Sequence, residues 1–195
     1  MSAVEIPLFP LNTVLFPGGP LPLRIFETRY LDMVRRCMRE ESGFGVVLIR
    51  AGAEAGGEAS TYDVGTYARI IDFSQQPDGL LGIRALGERR FRILQWHRAR
   101  DGLNLADVEW LPPETGEPLT AEFAELGPAL AEVLRQYADL YVGIEPRLDD
   151  ASWVAARLAE LLPLPDVHKQ HCLELDSGLE RLRYLRPMFE ITPAQ

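Results

Sequence analysis

Over the first 112 residues the apolar positions come in short runs or alternate with polar ones, the period of strands. Residues 4–8, 14–16 and 21–25 are apolar pieces interrupted by Pro7, Pro10, Pro17, Pro20 and Pro22. Proline has no N–H to give to a ladder, so these pieces predict strands that are short, bent or at a sheet edge. Thr28–Glu40 is the one helical pattern here, with Leu31, Val34 and Met38 at spacings of three and four and Thr28 placed to cap it. Residues 44–49 form a continuous apolar run beside glycine, the pattern of a buried strand. Residues 51–60 are Ala, Gly, Glu and Ser in the main and predict a mobile loop. Strands are predicted at 64–73, 80–86, 91–98 and 103–110. Turn signals at Pro77-Asp78-Gly79, Gly87-Glu88 and Asp101-Gly102 separate them. This spacing suggests a sandwich or a partly closed barrel.

Residues 111–119 are rich in Pro, Gly and Glu, and beyond them the period becomes helical. The expected organisation is therefore a β-rich domain over residues 1–112, a linker at 113–119 and a helical bundle over 120–195. In the bundle, Leu126, Leu130, Val133, Leu134, Tyr137 and Tyr141 keep helical spacing across Gly127-Pro128, which is expected to break or restart the helix. Trp153, Ala156, Arg157 and Leu161 mark a second helix. Pro163 and Pro165 end it, and another starts near Asp166. Ser177-Gly178-Leu179-Glu180 fits a capping box opening the last helix. No internal repeat is evident.

Composition changes this picture little. Of the 195 residues, 47% are apolar and 25% charged, as in ordinary globular proteins that fold without staples. Cys37 and Cys172 lie far apart and form no CxxC pair, which argues for a reducing compartment, expected here to be the cytoplasm. No signal peptide or membrane span is expected. Charge is uneven. Residues 1–112 hold 13 Arg against 14 Asp and Glu, whereas residues 113–195 hold 7 cations against 15 anions. The acidic second half disfavours a polyanion partner there.

Candidate chemistry is sparse. No GxxxxGK[ST] loop occurs, and Lys169, the only lysine, is followed by Gln170. A Ser/Lys dyad would need Lys169, which sits on a predicted helix where a solvated amine is the simpler role. There is no GxSxG elbow among six serines and three histidines. His168 and His171 share a helix face near Cys172 and Glu174, yet their spacing is not that of a zincin and no third ligand is indicated. Arg84, Arg89, Arg90 and Arg92 surround Gly87. Alternation puts Arg90 with Arg92 and Arg89 with Phe91, without the interleaved aromatics of an RNA-stacking surface, so salt-bridged surface arginines are the expectation. No cofactor, metal or catalytic residue is expected.

Three N-terminal pieces carry a resemblance: Ile6-Pro7-Leu8-Phe9-Pro10-Leu11, Val14-Leu15-Phe16-Pro17-Gly18 and Leu21-Pro22-Leu23. Together they resemble the opening of the Lon protease N-terminal, substrate-binding domain family. Ile25-Phe26-Glu27 with Arg29-Tyr30 resembles its stand-alone members, which lack the ATPase and peptidase domains. Val64-Gly65-Thr66 with Ala68-Arg69-Ile70, and Gly87 with Arg90 and Ile93, resemble two of its strand segments. Lys169-Gln170, Leu173-Glu174, Asp176 and Arg181-Leu182 resemble its helical signature. The resemblance implies an α+β fold. A PUA-like pseudo-barrel of short, mostly antiparallel strands with one helix would be followed by a C-terminal helical bundle.

The function it implies is a non-catalytic peptide-binding or protein-binding module, an adaptor or modulator of proteolysis whose partners are unfolded or apolar polypeptide segments. Candidate contacts are Phe16, Pro17, Phe26 and Tyr30, each of which has core packing as its commoner role. The alternative reading is a nucleic-acid-binding PUA-like protein, which rests on fold analogy.

Overall fold

The computed structural model of the chain describes residues 3–52, 60–114 and 116–189. The expected loop over 51–60 falls largely on residues 53–59, outside the described residues. The chain divides into two compact units, Met1–Leu111 and Pro112–Gln195. No helix among the described residues is long and apolar enough to cross a membrane.

The first unit contains β1 (Val4–Leu11), β2 (Pro20–Ile25), α1 (Thr28–Glu40), β3 (Phe44–Ala51), β4 (Ser60–Thr61), β5 (Val64–Gln75), β6 (Leu81–Arg98) and β7 (Asn104–Trp110). The ladder runs β1-β7-β6-β5-β3, and β3 returns to pair with β1, so the sheet closes on itself. The closing pair is parallel, with Leu8 opposite Gly45 and Leu11 opposite Leu48. The other pairs are antiparallel. Closure removes the open edges that an unclosed sheet would leave.

Side chains alternate between two apolar clusters, one on each face of the sheet. One holds Ile6, Leu8, Val47, Phe91, Ala106 and Val108. The other holds Phe9, Leu11, Phe44 and Val46 beneath α1. Helix α1 buries Tyr30, Met33, Val34 and Cys37, while Met38 is exposed. The buried stripe thus lies to one side of the expected Leu31–Val34–Met38 stripe. Tyr30, Met33 and Cys37 supply the wider contact with the sheet. Thr28 is the first helical residue and not the cap. That place belongs to Glu27, whose side chain makes no capping bond and instead pairs with Arg29 at 2.8 Å.

Two expectations along the strands need correction. Residues 14–16 form no strand. They are apolar because all three are buried, and the Leu15 carbonyl accepts from Thr66 Oγ1 at 2.5 Å. Gly87-Glu88 is not a turn but the middle of the 18-residue strand β6. There β6 exchanges one partner for another. Residues 81–86 pair with β2 and residues 91–98 with β7, while β5 runs along the opposite edge. Gly87 N–H donates to Gly19 O at 2.9 Å, and Gly18 N–H donates to Gly87 O at 2.7 Å. A Cβ on Gly87 would stand 2.3 Å from Phe16 O, so glycine here permits a close backbone approach. The other two turn signals hold, with Gly79 at φ 82° and Gly102 at φ 83°.

The second unit contains a 3-10 turn at Ala121–Phe123, then α2 (Leu126–Gln136), α3 (Ala151–Leu161), α4 (Asp166–Glu174) and α5 (Gly178–Phe189). Pro128 lies in the first turn of α2, where no intrahelical donor is required, so Gly127-Pro128 starts this helix. Asp150 caps α3 by accepting from Ser152 N–H at 2.9 Å and Trp153 N–H at 3.3 Å. Ser177 accepts from Glu180 N–H at 3.4 Å at the start of α5 and donates to Glu117. Phe123, Leu130, Trp153, Val154 and Leu182 form the core. The stretch expected as a linker is bonded into this unit: Ala151 N–H donates to Glu117 O at 2.6 Å, and Leu119 N–H donates to Asp149 O at 2.9 Å.

Candidate functional site

The four aromatic and proline candidates separate into two places. Phe16 is fully buried and Pro17 half-buried in the connection from β1 to β2. Phe26 and Tyr30 meet at a recess of about 350 Å³ in the first unit. Phe9 and Leu11 of β1, Pro22 and Leu23 of β2 and the start of α1 form its remaining wall.

Local sequence explains this arrangement. Ile25 ends β2 with its side chain in the core, and alternation turns Phe26 outward, where it is 62% exposed. Tyr30, in the first turn of α1, points back toward the sheet. It stacks on Phe9 with centroids 3.9 Å apart and planes 9° from parallel. Phe9 in turn meets Phe44 at 6.0 Å. The recess therefore has an aromatic floor whose rings are held from behind, and an exposed phenyl at its rim. Arg29 lies 4.7 Å from the Tyr30 ring and donates to Gly102 O at 3.1 Å, fixing the start of α1 against the β6–β7 turn. At the other rim Arg24 pairs with Asp78. Among the described residues β2 pairs only with β6, so its other edge borders the recess. Such a surface can hold an apolar segment of mixed sequence, because apolar contact imposes no hydrogen-bonding pattern.

The arginines around Gly87 do not form one basic face. Arg90 is buried at 3% exposure. Arg92 pairs with Glu109 at 3.2 Å and Arg84 lies 3.8 Å from Asp72. Arg89 stacks on Trp110, its guanidinium carbon 3.4 Å from the ring centroid. Arg90 and Phe91 point to opposite faces of β6 and are both buried, so β6 is covered on both faces at this point and Arg90 is not a surface arginine.

A family model of the ATP-dependent protease La (LON) substrate-binding domain matches residues 5–189. The chain belongs to this family. Among its relatives, Lon protease 2 of Herpetosiphon aurantiacus is 31% identical over 94% of this chain and 23% of that protein. Lon protease of Haemophilus influenzae is 28% identical over 95% of this chain and 24% of its own length. The chain thus spans about a quarter of the length of the curated relatives it matches. A crystal structure of a Lon N-terminal domain protein from Xanthomonas campestris superposes with a TM-score of 0.76 at 37% identity, covering 97% of this chain and 99% of that one. The N-terminal domain of Mycobacterium avium complex Lon protease shares the fold, with a TM-score of 0.67 at 20% identity over 97% of this chain and all of that one.

In this LON-domain chain the helical signature is structural. Gln170, Leu173, Arg181 and Leu182 are buried. Lys169 Nζ donates to Glu160 O at 2.9 Å, at the end of α3. His168 Nδ1 is 2.6 Å from the Tyr184 hydroxyl, and the His171 ring packs on Tyr184 at 4.4 Å. No group of three or more His, Cys, Asp or Glu side chains suited to a metal occurs among the described residues. Pro22 and Leu23 are recess residues that sequence patterning assigned only to a strand, and Phe9 is one that it left just beyond the piece expected over residues 4–8. Their signal was the Pro-interrupted edge pattern, which marks backbone that ladders cannot fully use.

Proposed function

We propose that this chain binds unfolded or apolar polypeptide segments at the Phe26–Tyr30 recess, without catalysis of its own, and acts as an adaptor or modulator of proteolysis. The observation that carries this reading is Phe26: a phenyl 62% exposed at the mouth of a recess floored by a stacked Phe9–Tyr30 pair. An exposed aromatic contiguous with an apolar hollow is characteristic of interaction surfaces. Membership of the substrate-binding family supports polypeptide as the ligand. The absence from these 195 residues of a phosphate loop, and of a lysine other than Lys169, supports a binding role. Two buried free thiols, Cys37 and Cys172, suit a reducing cytoplasm.

The test is titration of a fluorescent unfolded polypeptide and of short single-stranded RNA, each at low and moderate salt. Polypeptide binding of about micromolar strength or weaker is expected, with little salt dependence, since few anchors must offset the ordering of a flexible ligand. Salt-sensitive RNA binding without polypeptide binding would overturn the reading.

A further inference from the structure

A second recess of about 350 Å³ opens in the first unit, lined by Arg36, Arg89, Tyr67, Trp110, the Ser42-Gly43 turn and the first residues of β1. We propose that it binds the C-terminal carboxylate of an extended polypeptide.

Three observations converge on this ligand. The first is a pair of arginines outside any direct ion pair. Several arginines of the β unit have a carboxylate within reach: Arg24, Arg29, Arg35, Arg39, Arg69 and Arg92 do, as does Arg84. Arg36 and Arg89 form no ion pair with a described residue, and both line this one recess. Arg36 Nη2 is out of solvent and has no hydrogen-bond partner. A desolvated guanidinium nitrogen left unbonded is costly, and the remaining donors of the two guanidinium groups match a carboxylate through a planar, two-pronged geometry.

The second observation is the set of neutral groups beside those arginines. Gly43 N–H donates to the Tyr67 hydroxyl oxygen, which leaves the Tyr67 proton to be given elsewhere. Burial raises the pKa of that phenol, so it keeps its proton at neutral pH. Trp110 stands edge-on to Tyr67 at 5.4 Å and 84°, and Arg89 lies flat on Trp110 at 3.4 Å. The arginine fork is thereby held in place before any ligand arrives.

The third is the backbone. The ladder between β1 and β3 begins at Leu8, so residues 4–7 are paired only on their β7 side among the described residues. Those residues line the recess. An extended chain laid along this free stretch places its last residue at the arginines, as in strand addition. Glu5 and Glu40 also border the recess, and they repel a phosphate dianion or a run of acidic residues more than a single carboxylate.

The site is separate from the Phe26 recess, and it rests on that proposal only in taking polypeptide as ligand. The test uses the full chain and an N-terminally fluorescein-labelled pentapeptide, Ala-Val-Ala-Val-Leu, with a free α-carboxylate or a C-terminal amide. The acid is expected to bind at least about tenfold more tightly than the amide. Arg36→Gln and Arg89→Gln should each remove most of that preference without changing amide affinity. Because Arg89 packs on Trp110, circular dichroism accompanies both variants, and Arg36→Gln decides if Arg89→Gln unfolds. Phe26→Ala should leave the acid–amide difference intact while lowering affinity for an unfolded polypeptide. Equal binding of acid and amide, or binding of neither, overturns the site. So does displacement by inorganic phosphate, or by an amidated peptide with an internal Glu, as effective as displacement by the acid. Loss of the acid–amide difference in Phe26→Ala would place the terminus in the other recess and equally overturn it.

Discussion

Arg181 Nη2 lies 2.7 Å from Glu114 Oε1, an ion pair joining residues 67 apart in sequence. Arg181 is fully buried and also donates to Cys172 O at 2.7 Å and Leu175 O at 3.1 Å. One side chain of α5 thus satisfies carbonyls at the end of α4 and holds the stretch leading into the helical unit. Arg181→Ala takes this donor from the part-buried Glu114 carboxylate and from three carbonyls, those of Cys172, Leu175 and Ser152. It is expected to lower stability by about 3–5 kcal/mol, and Arg181→Met by less, since a buried pair replaced by a packed apolar chain loses little. Urea denaturation followed by circular dichroism measures both. Equal stability of Arg181→Ala and the parent would show that the pair contributes nothing.

Gly87 offers a sharper steric test. Its missing Cβ leaves room for Phe16 O, which a methyl would approach to 2.3 Å. The neighbour is backbone that is itself bonded, Gly19 N–H donating to Phe16 O at 3.0 Å, so it cannot swing aside. Gly87→Ala is expected to lower stability by about 1–3 kcal/mol. Gly79→Ala, in an open turn, provides the contrast of pure backbone strain at positive φ. The measurement is the urea midpoint of each variant.

Stability should fall at alkaline pH. Burial pushes the Cys172 thiol up to about 11 from its ordinary 9.0, against the opposing influence of Arg181. Burial also raises Cys37, and burial with the Glu160 carboxylate raises Tyr141. Each group keeps its proton in the folded chain at a pH where the unfolded chain has released it. The stabilisation is therefore complete below the unfolded pKa and is lost as pH rises through the folded one. For Cys172 this window runs from 9.0 to about 11, with a slope of about 1.4 kcal/mol per pH unit for each group titrating. The urea midpoint should drop across that window, and a thiol reagent should react with neither cysteine at neutral pH until the chain unfolds.

The Phe26 recess predicts different outcomes for two aromatics. Phe26→Ala removes an exposed ring and should change stability by less than about 0.5 kcal/mol, while weakening binding of an unfolded polypeptide severalfold. Tyr30→Ala removes a buried, stacked ring and should cost about 3–5 kcal/mol of stability. Anisotropy titration and urea denaturation of the pair separate the two roles. Unaltered polypeptide affinity in Phe26→Ala would take the ligand away from this recess.

What the sequence determined by itself was local. The bounds of α1 follow from an apolar period of three and four over thirteen residues. The turns at Gly79 and Gly102 follow from a residue type able to hold positive φ, and Ser177 announces α5 because a cap acts on N–H groups within three residues. The apolar period also told strands from helices on either side of residue 112. Tertiary structure decided whatever depends on what arrives from elsewhere in the chain. Phe16 and Phe26 are the same residue in the same Pro-rich stretch, yet one is sealed by β5 and β6 and the other faces outward. Gly87 resembles a turn glycine in sequence and is a crossing point, because Phe16 and Thr66, 71 and 21 positions away, crowd it. The stripe of α1 that is buried was set by the sheet beneath it. Arg36 and Arg89 stand 53 positions apart in the sequence and become neighbours of one recess when β5 pairs with both β3 and β6. Propensity and capping act over a few residues of chain, whereas burial and counter-charge are properties of the closed barrel, and no local pattern encodes them.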